Sequence, residues 1–228
     1  MRLDRFITQH RALPCRDVLR LLAAKRVSVD GAVVTDSRHA VDRFSRVCLD
    51  DEVVHECQAH YYMLHKPVGV VSATSDPEHQ TVIDLMQTAQ CAEPLHLAGR
   101  LDRNTTGLVL LTNDGQWSRR LTEPGAQVPK VYQVETESDL VPEIADIFAK
   151  GFHFACEDRH TQPAQLEILS HRQARLTIYE GLYHQVKRMF HRVGNRVVTL
   201  HRERVGKITL DSSLAPGGFR PLTRDEIS

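Results

Sequence analysis

Asp102 is the carboxylate whose setting in this chain most invites chemistry. It sits in Gly99-Arg100-Leu101-Asp102-Arg103-Asn104-Thr105-Thr106-Gly107, a charged turn that runs straight into Leu108-Val109-Leu110-Leu111. That apolar run does not alternate, so it reads as a strand buried on both faces. A carboxylate on a polar loop held against a rigid core is well placed to act as nucleophile or base. The same setting also suits an ordinary aspartate that caps its own turn. A second candidate group lies in the helix predicted over 184–193. Val186, Met189, Phe190 and Val193 form one apolar stripe, and Arg188 and Arg192 lie opposite it. Lys187 falls at the stripe's edge, about 100° from Val186, from where its ammonium can turn into a cleft. The plain alternative for these cations is a solvated helix face.

The elements that must position these groups follow from periodicity. Leu3, Phe6 and Ile7 have helical spacing, and a second helix starts after Pro14 with Val18, Leu21 and Leu22 on one stripe. Val27-Ser28-Val29, then Asp30-Gly31, then Val33-Val34 predict a hairpin. Short strands are expected at 47–49 and 53–54, with a polar linker after them. A new domain opens at Tyr61-Tyr62-Met63-Leu64, followed by the basic turn His65-Lys66-Pro67-Val68-Gly69. Asn113 or Asp114 caps a predicted helix through Leu121, which Pro124-Gly125 ends. Lys130–Thr136 alternates as a strand, 142–150 reads as a helix closed by Gly151, and strands are predicted at 166–169 and 174–179. Helices and strands mix without strict alternation, so the expected class is α+β with a mixed, mostly antiparallel sheet flanked by helices. The expected division is residues 1–56, a linker at 57–61, and 62–228.

Composition narrows the class. The chain is 41% hydrophobic and 25% charged, as in globular proteins. No apolar run approaches the roughly 20 residues of a membrane span, and Met1-Arg2-Leu3-Asp4-Arg5 lacks an apolar signal core. A cytoplasmic protein away from membranes is expected. Cys15, Cys48, Cys57, Cys91 and Cys156 are odd in number and include no Cys-x-x-Cys pair, so they read as structural or incidental. The 13 histidines show no ligand spacing, and no metal is expected. Net charge is zero, which taken alone argues against a nucleic-acid partner. The distribution reverses that. Residues 1–46 carry ten Lys or Arg against five Asp, residues 181–207 carry seven against one Glu, and residues 133–167 carry two against eight acids. Two basic patches and an acidic stretch make a directional field.

Four pieces now stand in a fixed order: His65–Gly69, the Gly99–Gly107 loop with Asn113-Asp114-Gly115, Lys130-Val131-Tyr132, and Glu180-Gly181-Leu182-Tyr183-His184-Gln185-Val186-Lys187-Arg188-Met189. Together they resemble the rRNA pseudouridine synthases of the RsuA type. The N-terminal segment resembles the RNA-binding module named after ribosomal small-subunit protein four. The resemblance implies that Asp102 is the catalytic carboxylate, that Tyr132 packs on the target base and that Lys187 pairs with Asp102. Many relatives have arginine at the position of Lys187. The resemblance further implies that Arg100 fills the gap left by a flipped base. Contacts to RNA are expected from Arg103, Lys66, Arg188, Arg2, Arg5, Arg16, Lys25, Arg26, Arg202 and Arg204. His-Gln-Val-Lys-Arg-Met-Phe is most similar to the small-subunit (16S) enzyme.

The implied reaction isomerises a uridine and exchanges nothing with a second substrate, so no cofactor is expected. Burial disfavours a charged carboxylate and a neighbouring cation favours it; Lys187 is expected to prevail. The implied partner is ribosomal RNA, naked or in a partly assembled subunit, and the protein is expected to act as a monomer. Three rival readings remain at this point. One is a synthase acting on large-subunit (23S) RNA. Another is a non-catalytic rRNA-binding assembly protein. The last is a hydrolase pairing Asp102 with a second carboxylate such as Glu180 or Asp114.

Overall fold

The apolar run after Asp102 is buried on both faces of a large sheet, as its lack of alternation predicts. In the computed structural model, which describes residues 1–89, 91, 93–155 and 157–228, Val109 and Leu111 enter one hydrophobic cluster and Leu108 and Leu110 another. Cys156 lies outside the described residues. The chain divides into two units, Met1–Ala59 and His60–Ser228.

The first unit contains helices α1 (Leu3–Arg11) and α2 (Cys15–Ala23), then strands β1 (Val27–Val29), β2 (Ala32–Val33), β3 (Val47–Leu49) and β4 (Glu52–His55). The strands form an antiparallel sheet in the order β2-β1-β3-β4. Asp30 and Gly31 both take positive φ, 51° and 84°, as a two-residue hairpin turn requires. Leu3, Phe6 and Ile7 pack with Val18, Leu22, Val27, Val29 and Val47 into one core.

The second unit runs β5 (Tyr61–Lys66), β6 (His96–Leu97), β7 (Thr106–Thr112), α3 (Gly115–Thr122), β8 (Lys130–Thr136) and α4 (Ile144–Lys150). It continues with β9 (His153–Phe154), β10 (Arg159–His160), β11 (Gln165–Ile168), β12 (Gln173–Ile178), α5 (Gln185–Arg192), β13 (Val197–Val205), β14 (Ile208–Thr209), β15 (Phe219–Pro221) and α6 (Arg224–Ile227). Nine strands share one sheet, ordered β11-β12-β8-β13-β7-β5-β15 with β14 and β6 at the side. It is mixed and mostly antiparallel: among its described pairings, β13 with β7 is parallel and the others are antiparallel. One face carries α4 and α5 through Ile144, Phe148, Val186, Met189 and Phe190. The other face buries Trp117 of α3 with Met63, Leu108 and Leu110.

Local chemistry explains the element ends. Asp114 caps α3 by accepting from the amides of Gln116 and Trp117. Gly151 closes α4 at φ 77°, where a Cβ would sit 2.6 Å from the Thr161 carbonyl oxygen. The expected linker over 57–61 needs correction at its end. Tyr61 already belongs to β5, opposite Thr112, with its ring edge-on to Trp117 at 5.0 Å. The expected basic turn at 65–69 is corrected likewise, because His65 and Lys66 are the last residues of β5.

Candidate active site

The Asp102 loop enters β7 under strong local constraint. The Thr105 amide donates to the Asp102 carbonyl at 3.0 Å, and the Leu101 amide donates to Ser72 Oγ at 3.1 Å. A turn this tight points several carbonyl oxygens inward, and buried carbonyls need donors. Lys66 and Arg202 supply them. The Lys66 ammonium is wholly buried and donates to the carbonyls of Pro67 at 2.9 Å, Arg103 at 3.1 Å and Thr105 at 2.9 Å. Arg202, 2% exposed, donates through Nε to Leu108 O at 2.8 Å and through Nη1 to Arg100 O at 3.3 Å. Neither side chain reaches the surface, so the expectation that Lys66 and Arg202 touch RNA is corrected. They are the inner scaffold of the loop. Burial pushes the Lys66 pKa down to about 8; Asp102 opposes that shift and Lys187 adds to it.

Helix α5 brings the facing wall. Its stripe of Val186, Met189 and Phe190 is buried, which turns the edge residue Lys187 towards the loop. Lys187 Nζ lies 2.8 Å from Asp102 Oδ2. The residue before the helix, His184, places Nε2 3.4 Å from Asp102 Oδ1. Both carboxylate oxygens therefore face a nitrogen. His184 stands in the Glu180–Met189 motif, whose resemblance implies no role for it. The available signal was spacing: His184 and Lys187 are i and i+3, on one side of the helix start. Tyr132 of β8 lines the same cavity with Leu101, Ile178, Val186 and Leu200, and Arg100 lies exposed at its rim. The cavity holds about 90 Å³. It is a small cleft with an apolar wall and a charged floor.

Among the described residues that line this cleft, neither Glu180 nor Asp114, the second carboxylates of the hydrolase reading, is found. Glu180 accepts from the Gln162 amide and Gln185 Nε2, and Asp114 caps α3 and accepts from the Tyr61 hydroxyl. Among the described residues, no group of three or more His, Cys, Asp or Glu is placed to hold a metal ion. None of the described helices is long and apolar enough to cross a membrane.

The remaining predicted cations are spread out. Arg103 is exposed and its Nε donates to Gly69 O at 3.1 Å. Arg188 is committed to Glu157 through two 2.8 Å bonds and lies 3.8 Å over the Phe154 ring. Arg204 is half-buried beside a different cavity, with His65 and His201. In the first unit Arg2, Arg5, Arg16, Lys25 and Arg26 are exposed. Arg2 pairs with Asp4, and Arg26 pairs with Asp50 through bonds of 2.8 and 2.6 Å.

The family model described as RNA pseudouridylate synthase matches residues 60–192. A protein named ribosomal small subunit pseudouridine synthase A from Pseudomonas aeruginosa is 55% identical over 228 residues, covering 100% of this chain and 99% of the relative. One of the same name from Escherichia coli (strain K12) is 47% identical over 229 residues, with 100% and 99% covered. A crystal structure of a pseudouridylate synthase superposes with a TM-score of 0.71 at 38% identity, covering 100% of this chain and 98% of that one.

Proposed function

Because the chain belongs to the RNA pseudouridylate synthase family, we propose that it converts a specific uridine of small-subunit ribosomal RNA to pseudouridine, with Asp102 as the reacting carboxylate. One observation carries the assignment of the site: Asp102 Oδ2 lies 2.8 Å from Lys187 Nζ in a cleft walled by Tyr132. The choice of RNA is supported by two relatives, both named for the small ribosomal subunit, that align with the whole chain. The 16S target is favoured over the 23S one on that ground.

In the reaction the C1′–N1 bond of the uridine breaks, the uracil turns, and C1′ bonds to C5. The proton leaves C5 and N1 gains one, so nothing is exchanged with a second substrate. Asp102 supplies the nucleophile or base, and Lys187, 2.8 Å from its Oδ2, holds it aimed. A base inside a stack cannot reach a cleft this small, so it must be flipped out, at a cost of a few kcal/mol. Tyr132 offsets that cost by packing on the extruded ring, and Arg100 by filling the vacancy. We assign phosphate contacts to Arg103 at the cleft and to Arg5, Arg16 and Lys25 on the first unit, which acts as the RNA-binding module resembling that of small-subunit protein four. The protein works as a cytoplasmic monomer on rRNA, free or in a partly assembled subunit.

Two experiments test this reading. Asp102→Asn should bind the RNA and make no pseudouridine; turnover in that variant overturns the assignment of Asp102. Pseudouridine mapping in rRNA from cells lacking the protein should show one modification missing from small-subunit RNA. A loss confined to large-subunit RNA points to the 23S alternative, and no loss in either points to the non-catalytic assembly protein.

A further inference from the structure

We propose that Tyr183 is a stacking platform for an unpaired nucleobase next to the flipped uridine, a role that rests on the RNA-modifying reading above. At 73% exposure, Tyr183 is the most exposed large hydrophobic side chain described. Exposure of a single aromatic ring requires no explanation by itself. What distinguishes this ring is how firmly its backbone is held. The Leu182 amide donates to Gln185 Oε1 at 3.0 Å, and Gln185 Nε2 donates to Glu180 Oε1 at 2.7 Å. Both Gln185 and Glu180 are buried, and Glu180 is tied in turn to the Gln162 amide at 2.8 Å. On the other side, Arg188 Nη1 donates to the Tyr183 carbonyl at 3.2 Å while the same guanidinium pairs with Glu157.

The loop then enters a conformation that disfavours an ordinary side chain. His184 takes φ +48°, in the left-handed region. That backbone lays the His184 ring on the Tyr183 ring, with centroids 3.9 Å apart and planes within 19°. One face of Tyr183 is thereby covered and the other is left open to solvent. His184 also reaches the Asp102 carboxylate. A flat, rigid, open ring is thus held within two side chains of the reacting group. Flipping a uridine leaves its neighbours without a stacking partner, and any nucleobase presents a π-face that an aromatic ring can carry. Exposed Arg103, on the Asp102 loop, supplies a cation for the adjoining phosphate.

The test uses full-length protein carrying Asp102→Asn, which should hold RNA without turning it over. Its Kd is measured for single-stranded RNA containing the mapped uridine, over a series of salt concentrations. Adding Tyr183→Ala should weaken binding about 5- to 150-fold. The slope of log K against log salt should stay the same, because no phosphate contact is lost. Tyr183→Phe should recover most of the lost affinity, because it keeps the ring. An unchanged Kd in Tyr183→Ala overturns the proposal. So does a changed salt slope, which would mean a charge effect, or a loss that Tyr183→Phe does not recover, which would mean a hydroxyl contact. Failure of the functional reading shows separately, as rRNA from cells lacking the protein that keeps every pseudouridine.

Discussion

Lys187 offers Asp102 a point charge, where arginine would offer a planar fork. Lys187→Met should lower kcat about 100-fold through loss of alignment, and Lys187→Arg should restore most of it; single-turnover measurements of pseudouridine formation check both. Tyr132→Phe keeps the ring and should retain measurable turnover, whereas Tyr132→Ala should lose far more. A dead Tyr132→Phe would instead give the hydroxyl a proton-transfer role. Lys66 makes pH itself a probe. Its pKa is about 8 in the folded protein, against about 10.4 in an unfolded chain. Between those values the unfolded chain holds the extra proton, so this group's contribution to stability rises with pH across that window. Activity should move the other way. Above about pH 8 the deprotonated amine has two N–H groups for three carbonyls, and the Asp102 loop should loosen. The kcat profile should therefore fall above pH 8 while denaturant melts show no matching loss of fold. The places of Asp102 beside a buried strand and of Lys187 at a stripe's edge were readable from type and spacing, whereas their pairing was implied only by the resemblance. The destinations of Lys66 and Arg202 were not readable. Their burial depends on carbonyls turned inward by a loop, and a backbone direction leaves no trace in side-chain type.

At the scale of elements, the contact between β7 and β13 deserves the hardest test. Gly107 takes φ +108°, and a Cβ there would overlap the Arg202 carbonyl oxygen and lie 2.6 Å from its amide nitrogen. Gly107→Ala therefore meets both a disfavoured conformation and an immovable backbone. It should cost about 3 kcal/mol or more, visible as a lower midpoint in urea unfolding. Elements with clean periodicity were readable in advance: α1, α2, the β1–β2 hairpin, β7, β8 and α5. β13 was not read as a strand, although it is central in the sheet. Its sequence, Val197-Val198-Thr199-Leu200-His201-Arg202-Glu203-Arg204-Val205, carries charges on both faces, and its pairing with β8 shifts register twice. Its strand character comes from neighbours on either side, not from its own pattern. The two-residue strands β6, β9, β10 and β14 escaped for a similar reason, being too short to show a period.

For the whole molecule, zero net charge conceals a strongly uneven field. RNA affinity should fall steeply with salt. Removing both Arg16 and Lys25 should flatten the log–log slope by about 0.7 to 0.9 per cation, measured by filter binding; an unchanged slope would take the first unit out of the interface. The uneven charge was countable in the sequence, whereas which cations would stay exposed depended on the fold. The order of strands in the large sheet has a further consequence, in time. β5 and β7 come from the early part of the second unit, while β8 and β12 come later. Among the described residues of the sheet they are joined through β13, whose Arg202 lies beside Gly107, far away along the chain. Asp102 sits on one side of that seam and Tyr132 on the other, and Lys187 arrives just ahead of β13. Contacts so distant along the chain are slow to close. No early intermediate can therefore hold a complete site. During refolding, catalysis should return with the last kinetic phase, after secondary structure has formed. During synthesis, β15, which pairs with β5 from residues 219–221, must leave the ribosome before the sheet is finished. A newly made molecule thus brings the two halves of its site together only after β13 has left the ribosome.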